Sequence, residues 1–136
     1  MKLIGYLKQK IPSEIKYILL LFFVTRIALT VIGVTSRLLL EPYHGQEYGW
    51  VYSEHLWLDI WGVWDTGWYL DIAENWYSME LLSDLPKYAG PNQANYGFFP
   101  LYPALMKGLG LLVGSNFIAG IIVSNIFLIL QILILL

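Results

Sequence analysis

The residues best suited to chemistry lie in one short segment, 64–73, with the sequence Trp-Asp-Thr-Gly-Trp-Tyr-Leu-Asp-Ile-Ala. Its two acidic residues are Asp65 and Asp71. A carboxylate within hydrogen-bond reach of an attacking hydroxyl can accept its proton as a general base. On a helix, a separation of six residues turns the two side chains roughly 240° apart, so they do not act as a close pair on one bond. The segment therefore predicts a single carboxylate base.

Asp65 also has a structural interpretation. Aspartate is a favoured helix N-cap, and Asp65 stands where a helix through Trp68 and Ile72 would begin. With Tyr69, these residues recur at spacings of three and four and share one helical face. No proline interrupts 65–77, which predicts a helix there. The roles of base and cap are compatible, and both stay open.

The composition places this segment in a membrane protein. Of the 136 residues, 57% are hydrophobic and 13% are charged. That charged fraction is about half of the roughly 25% that soluble domains carry. We therefore predict an all-α integral membrane fold with a helical extracytoplasmic loop. Because the chain has no cysteine, neither disulfides nor a thiolate metal site can hold that loop.

Three apolar runs predict spanning helices, since about 20 apolar residues cross the hydrocarbon core. The first, 15–34, contains Arg26 and is interpreted as a retained signal anchor, because it is long and lacks a small-residue cleavage site. The second, 98–113, is short and carries Lys107. The third, 117–136, stops without a helix-end signal, so we expect the N-terminal part of a longer polytopic chain.

Charge placement predicts the orientation of these helices. Four lysines lie in segment 1–14 and at the adjoining edge of the first span, and basic residues near membrane segments favour the cytoplasmic side. The segment 35–97 contains nine acidic and two basic residues. We expect 1–14 in the cytoplasm and 35–97 outside, in a multi-pass protein. The lack of cysteine suits a prokaryotic plasma membrane better than the endoplasmic reticulum.

The predicted loop is rich in aromatic residues. Amphipathic rings prefer the membrane interface, where one end is apolar and the other is wet. We therefore expect interfacial helices along the bilayer surface. The aromatic residues are Trp50, Tyr52, Trp57, Trp61, Trp64, Trp68, Tyr69, Trp76 and Tyr77.

Two motifs carry a family resemblance. The first comprises Trp64-Asp65, Trp68-Tyr69-Leu70, Ile72-Ala73 and Tyr77, and the second is Phe98-Phe99-Pro100-Leu101-Tyr102-Pro103. In this order, and with Arg26 and 119–125, they resemble the mannosyltransferase family that includes the enzyme adding the second mannose to glycosylphosphatidylinositol anchors, with its prokaryotic relatives. The similarity covers essentially the whole chain.

The resemblance implies the N-terminal part of a GT-C type polytopic helix bundle. It also implies a glycosyltransferase that moves a sugar, mannose in that family, from a polyprenyl phosphate carrier to an acceptor hydroxyl at the extracytoplasmic face. By its place in the motif, Asp65 would be the catalytic residue. A long polar insertion between Tyr77 and Phe98 departs from the family pattern. The acceptor, whether glycan, lipid or protein, therefore stays open.

Several further residues are candidates for substrate contact. Arg26 lies near mid-span, where an ionisable group is costly and usually faces a partner or a polar cavity. It is predicted to contact a carrier phosphate or a loop carboxylate, with structural pairing to another helix as the alternative. The other candidates are Trp64, Trp68, Tyr69, Asp71 and Tyr102. For Asp71 the alternative is a solvated face or a basic partner in the missing part of the expected longer chain. Motif 98–103 has an architectural alternative.

No cofactor and no metal site is predicted. His44 and His55 lack the helical spacing of a zinc hydrolase, whereas a divalent cation at Asp65 stays open because carboxylates suit Mg²⁺ or Mn²⁺. The glycines of 108–114 lack a phosphate-loop signature, which favours a lipid-linked donor over a nucleotide sugar. The short basic cluster at the N-terminus is explained by the preference of lysines for the cytoplasmic side of a membrane helix, so nucleic acid is not a predicted partner.

A second functional class also fits this composition. The chain would then be a non-catalytic membrane scaffold or transporter segment that binds lipid or a partner through its Trp-rich loop. Arg26 would support helix packing or a transport path, and Asp65 would matter only for folding or binding. The two hypotheses differ in whether loss of the Asp65 carboxylate abolishes chemistry while leaving membrane insertion intact.

Overall fold

The computed structural model describes residues 12–40, 51–77 and 95–134. Within these ranges every regular element is helical and no strand occurs, which confirms the all-α prediction for this part of the chain. In chain order the elements are α1 (Ser13–Leu40), α2 (Leu56–Asp59), α3 (Thr66–Asn75), a 3₁₀ turn (Asn95–Gly97), α4 (Leu101–Val113) and α5 (Asn116–Ile134).

Two of these helices, α1 and α5, are long and apolar enough to cross a membrane. At about 1.5 Å per residue, α1 extends about 42 Å and α5 about 28 Å, against a hydrocarbon core of about 30 Å. None of the most apolar stretch of α1 is buried in the described chain. That exposure fits a helix surrounded by lipid better than the core helix of a soluble protein. The helix α1 also continues beyond the predicted span 15–34 at both ends.

The helix α4 is shorter than the span predicted over 98–113. Its 13 residues rise about 20 Å, which does not reach across about 30 Å of hydrocarbon. The helix ends at Gly114, whose φ of 77° is left-handed and lets the chain reverse. After this turn α5 packs along α4. Met106 and Gly110 of α4 are buried, whereas Leu111 and Leu112 stay exposed, so a span over 98–113 stays a prediction.

Close contacts define the α4–α5 pair as an antiparallel hairpin. Gly110 lies against Asn116, and Gly120 lies against Met106 and Tyr102. A Cβ atom on Gly120 would come within 3.1 Å of both Met106 Cε and Tyr102 Oη, so these side chains would have to shift by a few tenths of an ångström to admit it. The hairpin places the start of α4 beside the middle of α5.

The helix α3 packs on this hairpin and forms the buried core. Leu70 and Ala73 of α3 cluster with Met106 of α4 and Phe117 of α5. A fully buried large apolar side chain contributes about 1.5–3 kcal/mol, so this small cluster is the main force that fixes α3.

The helix predicted over 65–77 is present as Thr66–Asn75. Trp64 and Trp76 flank it, with φ values of 53° and 66°. Bulky residues rarely adopt positive φ. The chain therefore turns sharply at both ends of α3, which sets the helix at its angle to the hairpin.

The order of contacts indicates that α1 and α5 run in opposite directions. Phe117, near the start of α5, packs on Tyr52. The Asp59 carboxylate accepts hydrogen bonds from the Tyr52 N–H and from Arg37, which lies near the end of α1. Further along α5, Asn125 shares a cavity with Arg26, near the middle of α1.

Candidate functional site

A cavity of about 200 Å³ lies between α1, α3, α4 and α5. We call it the Arg26 cavity. It brings together three of the residues predicted to contact substrate, Arg26, Tyr69 and Tyr102. Its polar lining residues are Arg26, Thr66, Tyr69, Tyr102, Ser124 and Asn125.

Arg26 is held in this cavity by aromatic rings. Its guanidinium carbon lies 5.4 Å from the centroid of Phe22 and 5.3 Å from that of Trp61, within the range of cation–π attraction. The Nε atom is buried and has no hydrogen-bond partner among the described residues, and no described carboxylate forms an ion pair with Arg26. Buried charged donors are normally satisfied. The site is therefore suited to an anionic ligand.

Tyr102 supplies a fixed hydroxyl to the same cavity. Its Oη atom lies 3.1 Å from the Gly120 carbonyl oxygen, to which it donates, and 2.9 Å from Ser124 Oγ. The ring of Tyr69 meets the Tyr102 ring edge to face, with centroids 4.9 Å apart. The hairpin contact at Gly120 thus orients both phenols.

The Tyr69 hydroxyl is kept in its protonated form. Burial raises the pKa of Tyr69 above its ordinary value of 10.0, and the nearby Asp65 carboxylate and Tyr102 raise it further. Tyr69 lies in α3, outside the two helices that can span the membrane. At neutral pH this residue is a hydrogen-bond donor.

Asp65, the predicted catalytic residue, is not among the described residues that line the Arg26 cavity. It precedes α3 at the N-cap position, yet its side chain makes no capping hydrogen bond, and its backbone is helical, with φ −74° and ψ −1°. Thr66, the next residue, lines the cavity. The Asp65 side chain is exposed and close enough to Tyr69 to act on it electrostatically. Its carboxylate is accordingly available for chemistry in a way that a capping carboxylate is not.

Trp64 and Trp68, the two tryptophans predicted to contact substrate, lie outside the Arg26 cavity. Trp68 stacks on Phe98 with ring centroids 5.7 Å apart, and Phe98 meets Tyr69 edge to face at 5.1 Å. Trp68 therefore helps to position Tyr69 through Phe98. Trp64 is exposed. Neither tryptophan is among the described residues that line the Arg26 cavity.

Asp71 is fully buried, at 0% exposure. Asn75 Nδ2 donates to its Oδ1 at 2.9 Å, and Asn95 Nδ2 donates to its Oδ2 at 2.8 Å. Asn95 also donates to the Trp76 carbonyl at 3.0 Å. The alternative of a solvated face is wrong for Asp71, because its carboxylate is buried, and a basic partner outside the described residues stays a prediction. It ties the 3₁₀ turn to α3 and does not line the Arg26 cavity.

A second buried carboxylate, Asp59, was not among the site residues predicted from the sequence. It is 3% exposed, binds Arg37 Nη1 at 3.2 Å and accepts the backbone N–H groups of Tyr52 at 2.7 Å and Ser53 at 3.0 Å. The available signal was Arg37, which follows the first apolar run and had no assigned partner. Asp59 anchors the loop to the end of α1.

The structure describes only one of the two histidines, His55. His55 stacks on Trp57 with centroids 6.4 Å apart, and His44 lies outside the described residues. In the three described ranges, no three His, Cys, Asp or Glu side chains gather into a group suited to a metal ion.

Comparisons with models of known protein families, with curated proteins and with solved structures find no match to the chain. The resemblance carried by segments 64–77 and 98–103 therefore stays a prediction. The geometry of the Arg26 cavity does not depend on this resemblance, and it favours an anionic ligand.

Proposed function

We propose that the protein is a membrane glycosyltransferase that moves a sugar, mannose by its motifs, from a polyprenyl phosphate carrier to an acceptor hydroxyl at the extracytoplasmic face. The observation that carries this proposal is Arg26, a cation in an apolar helix whose buried Nε has no described hydrogen-bond partner. A phosphate attached to a membrane lipid supplies the negative charge at that depth. The family resemblance adds the GT-C type bundle and the sugar.

Arg26 would bind the carrier phosphate, with the neutral Tyr69 phenol as a second donor. Charge-assisted hydrogen bonds from arginine to phosphate are shorter and about twice as strong as neutral ones. In a site shielded from water, such donors are most effective on charge that grows in the transition state. The phosphate gains charge as the glycosidic bond breaks, so Arg26 would favour its departure.

Asp65 would act as the general base. The acceptor hydroxyl gives its proton to the Asp65 carboxylate while its oxygen attacks the anomeric carbon. The bond from that carbon to the phosphate oxygen breaks, and the electron pair leaves with the polyprenyl phosphate. One carboxylate suffices for this inverting displacement. The exposed and uncapping side chain of Asp65 supports this role.

The decisive experiment is sugar transfer by membranes that contain the full-length protein. Wild type, Asp65→Asn and Glu74→Gln would receive labelled polyprenyl phosphate mannose at matched expression, with and without a chelator. Glu74 is a suitable control because it is an exposed carboxylate at the other end of α3. We expect Asp65→Asn to lose about 10²–10⁴-fold in rate, the range for a general base, and Glu74→Gln to retain activity.

Other outcomes would revise the proposal in distinct ways. Equal transfer by wild type and Asp65→Asn would assign the base to another residue. Transfer abolished by the chelator would add a divalent cation. If wild type transferred neither mannose nor any other labelled lipid-linked sugar, the scaffold or transporter hypothesis would be favoured. The exposed Trp57 and Trp76 also fit that hypothesis, as side chains that could bind lipid.

A further inference from the structure

The Arg26 cavity has room for the polar headgroup of a lipid-linked ligand and not for the whole molecule. Its volume of about 200 Å³ is below the roughly 300–1,000 Å³ of pockets that enclose a complete drug-sized ligand. The hydrogen-bonding capacity of its lining side chains therefore determines which headgroup it binds.

One part of the lining offers hydrogen-bond donors. The Arg26 guanidinium has donors and no acceptor, and its buried Nε has no hydrogen-bond partner among the described residues. Tyr69 lines the same cavity, and its raised pKa keeps the phenol protonated. Phosphate oxygens are strong acceptors, so this part of the lining suits the carrier phosphate.

Two other lining residues already donate to backbone carbonyl oxygens. Thr66 Oγ1 donates to the Val63 carbonyl oxygen at 2.9 Å. Asn125 Nδ2 donates to the Ile121 carbonyl oxygen at 2.7 Å, which fixes the orientation of the amide. The Thr66 hydroxyl then has only lone pairs left, and Asn125 keeps its side-chain carbonyl oxygen and one N–H. Both residues therefore offer acceptors to the cavity.

Ser124 is a third acceptor because of its contact with Tyr102. A carbonyl oxygen only accepts, so the single phenolic proton of Tyr102 goes to Gly120, 3.1 Å away. The Ser124 hydroxyl lies 2.9 Å from the same phenolic oxygen and is the donor in that contact. Its lone pairs stay available to a ligand. We call Thr66, Ser124 and Asn125 the acceptor set.

Two members of the acceptor set lie within a strongly apolar helix. Ser124 and Asn125 belong to α5, which is apolar enough to cross a membrane. Polar groups within such a helix are costly and often mark a substrate path. A bare phosphate is a poor partner for them, because its oxygens are acceptors too. Hydroxyl groups are good partners, since each has a proton to donate.

We propose that the acceptor set binds hydroxyl groups of the sugar, so that the cavity selects the sugar-bearing carrier over the bare carrier phosphate. Arg26 and Tyr69 hold the phosphate, and Thr66, Ser124 and Asn125 accept hydrogen bonds from the adjacent hexosyl group. This inference rests on the proposed function. The bare carrier phosphate is the product of that reaction, so the same preference promotes product release.

The test is competition binding to the purified full-length protein in detergent. Labelled short-chain polyprenyl phosphate mannose would be displaced by the unlabelled carrier that bears mannose, glucose or no sugar. The main variant is Asn125→Leu, and leucine is well suited to a membrane helix. The matched control is Gln131→Leu. Gln131 is an exposed amide on the same helix and is not among the described residues that line the Arg26 cavity.

We expect wild type and Gln131→Leu to bind the mannose-bearing carrier at least about tenfold more tightly than the bare phosphate, as for two or more ordinary hydrogen bonds. Asn125→Leu should reduce this ratio by about two- to tenfold, the effect of one such bond, and should bind the bare phosphate as tightly as wild type or more so. Arg26→Gln should weaken both ligands.

An unchanged ratio in Asn125→Leu would overturn the proposal. Equal weakening of both ligands in that variant would also overturn it, because the amide would then act through packing. The proposal also fails if neither sugar improves binding to wild type, and sugar transfer retained in that case would leave the proposed function intact. A sugar preference that Asn125→Leu removes, in a protein that transfers no sugar, would support the acceptor set and contradict the transferase.

Discussion

Two arginines on the same helix have opposite surroundings. Arg37, near the end of α1, pairs with Asp59 at 3.2 Å, and that carboxylate also accepts two backbone N–H groups. Arg26 lies eleven residues earlier, about 16 Å along the helix. It faces the rings of Phe22 and Trp61, and its buried Nε has no hydrogen-bond partner in the described ranges.

On our proposal, the difference separates a structural charge from a ligand-binding charge. A partly buried ion pair whose carboxylate also accepts two backbone N–H groups holds two segments together and has little left to offer a substrate. A partly buried cation beside two aromatic rings, with a buried Nε that has no described hydrogen-bond partner, keeps an unmet preference for an anion. On this criterion Arg37 joins the loop to the membrane helix, and Arg26 marks the site.

The aspartates divide in the same way. Asp59 and Asp71 are buried with hydrogen-bond partners on both carboxylate oxygens. Asp65 is exposed and does not cap its helix. The three lie within thirteen residues of one another, so residue type and proximity alone do not distinguish them.

The largest expected effect is on catalysis at Arg26. Arg26→Gln should lower kcat/KM for the lipid-linked donor by about 10²–10³-fold, or about 2.7–4 kcal/mol, as when one donor to a developing anion is removed. The assay is sugar transfer at limiting donor, with thermal unfolding in detergent as the check on folding. Arg26→Lys should not restore full activity, because a lysine lacks the planar guanidinium that lies over the Trp61 ring.

The matched control is Arg37→Gln on the same helix. Its folded fraction should transfer sugar within a few-fold of wild type. If Arg26→Gln retained wild-type turnover while Arg37→Gln lost it, the assignment of structural and functional charges would be reversed.

The next largest effect is on stability at Asp59. Asp59→Ala should lower the free energy of unfolding by about 2–3 kcal/mol, because it leaves buried N–H donors and Arg37 without their acceptor. Arg37→Gln should cost less, since its side chain is 26% exposed. Thermal unfolding of both single variants and the double variant would give the coupling energy of the pair. A coupling near zero would contradict a structural ion pair.

The smallest effect is the alkaline behaviour of Tyr69. Its pKa in the folded protein lies above the ordinary 10.0, so the folded state holds the phenol proton more tightly than the unfolded state. This contribution to stability is complete below pH 10 and is lost as the pH rises through the folded pKa. Tyr69→Phe should flatten the loss of stability above that pH, measured by unfolding at several alkaline pH values. An unchanged alkaline profile would show that Tyr69 is not shielded.

Much of the local structure followed from residue pattern. The apolar runs predicted α1 and α5, and the spacing around Trp68 predicted α3 to within two residues of its ends. These features depend on neighbours three and four positions apart, which the sequence displays directly. Arg26 also stood out by itself, because a charge in an apolar run needs an explanation wherever it occurs.

The fate of each charge and the path of α4 were decided by tertiary structure. Asp59 meets Arg37 across 22 positions, and Asp71 meets Asn95 across 24, and no local pattern specifies which distant groups will pair. Likewise, the apolar composition of 98–113 is the same whether it faces lipid or a neighbouring helix. Tertiary packing buries Met106 and Gly110 of α4 and leaves Leu111 and Leu112 exposed. The sequence by itself determined the helices and the candidate charges, since both are local properties. Only the packing decided which of the described charges have partners and left the buried Nε of Arg26 without a described one.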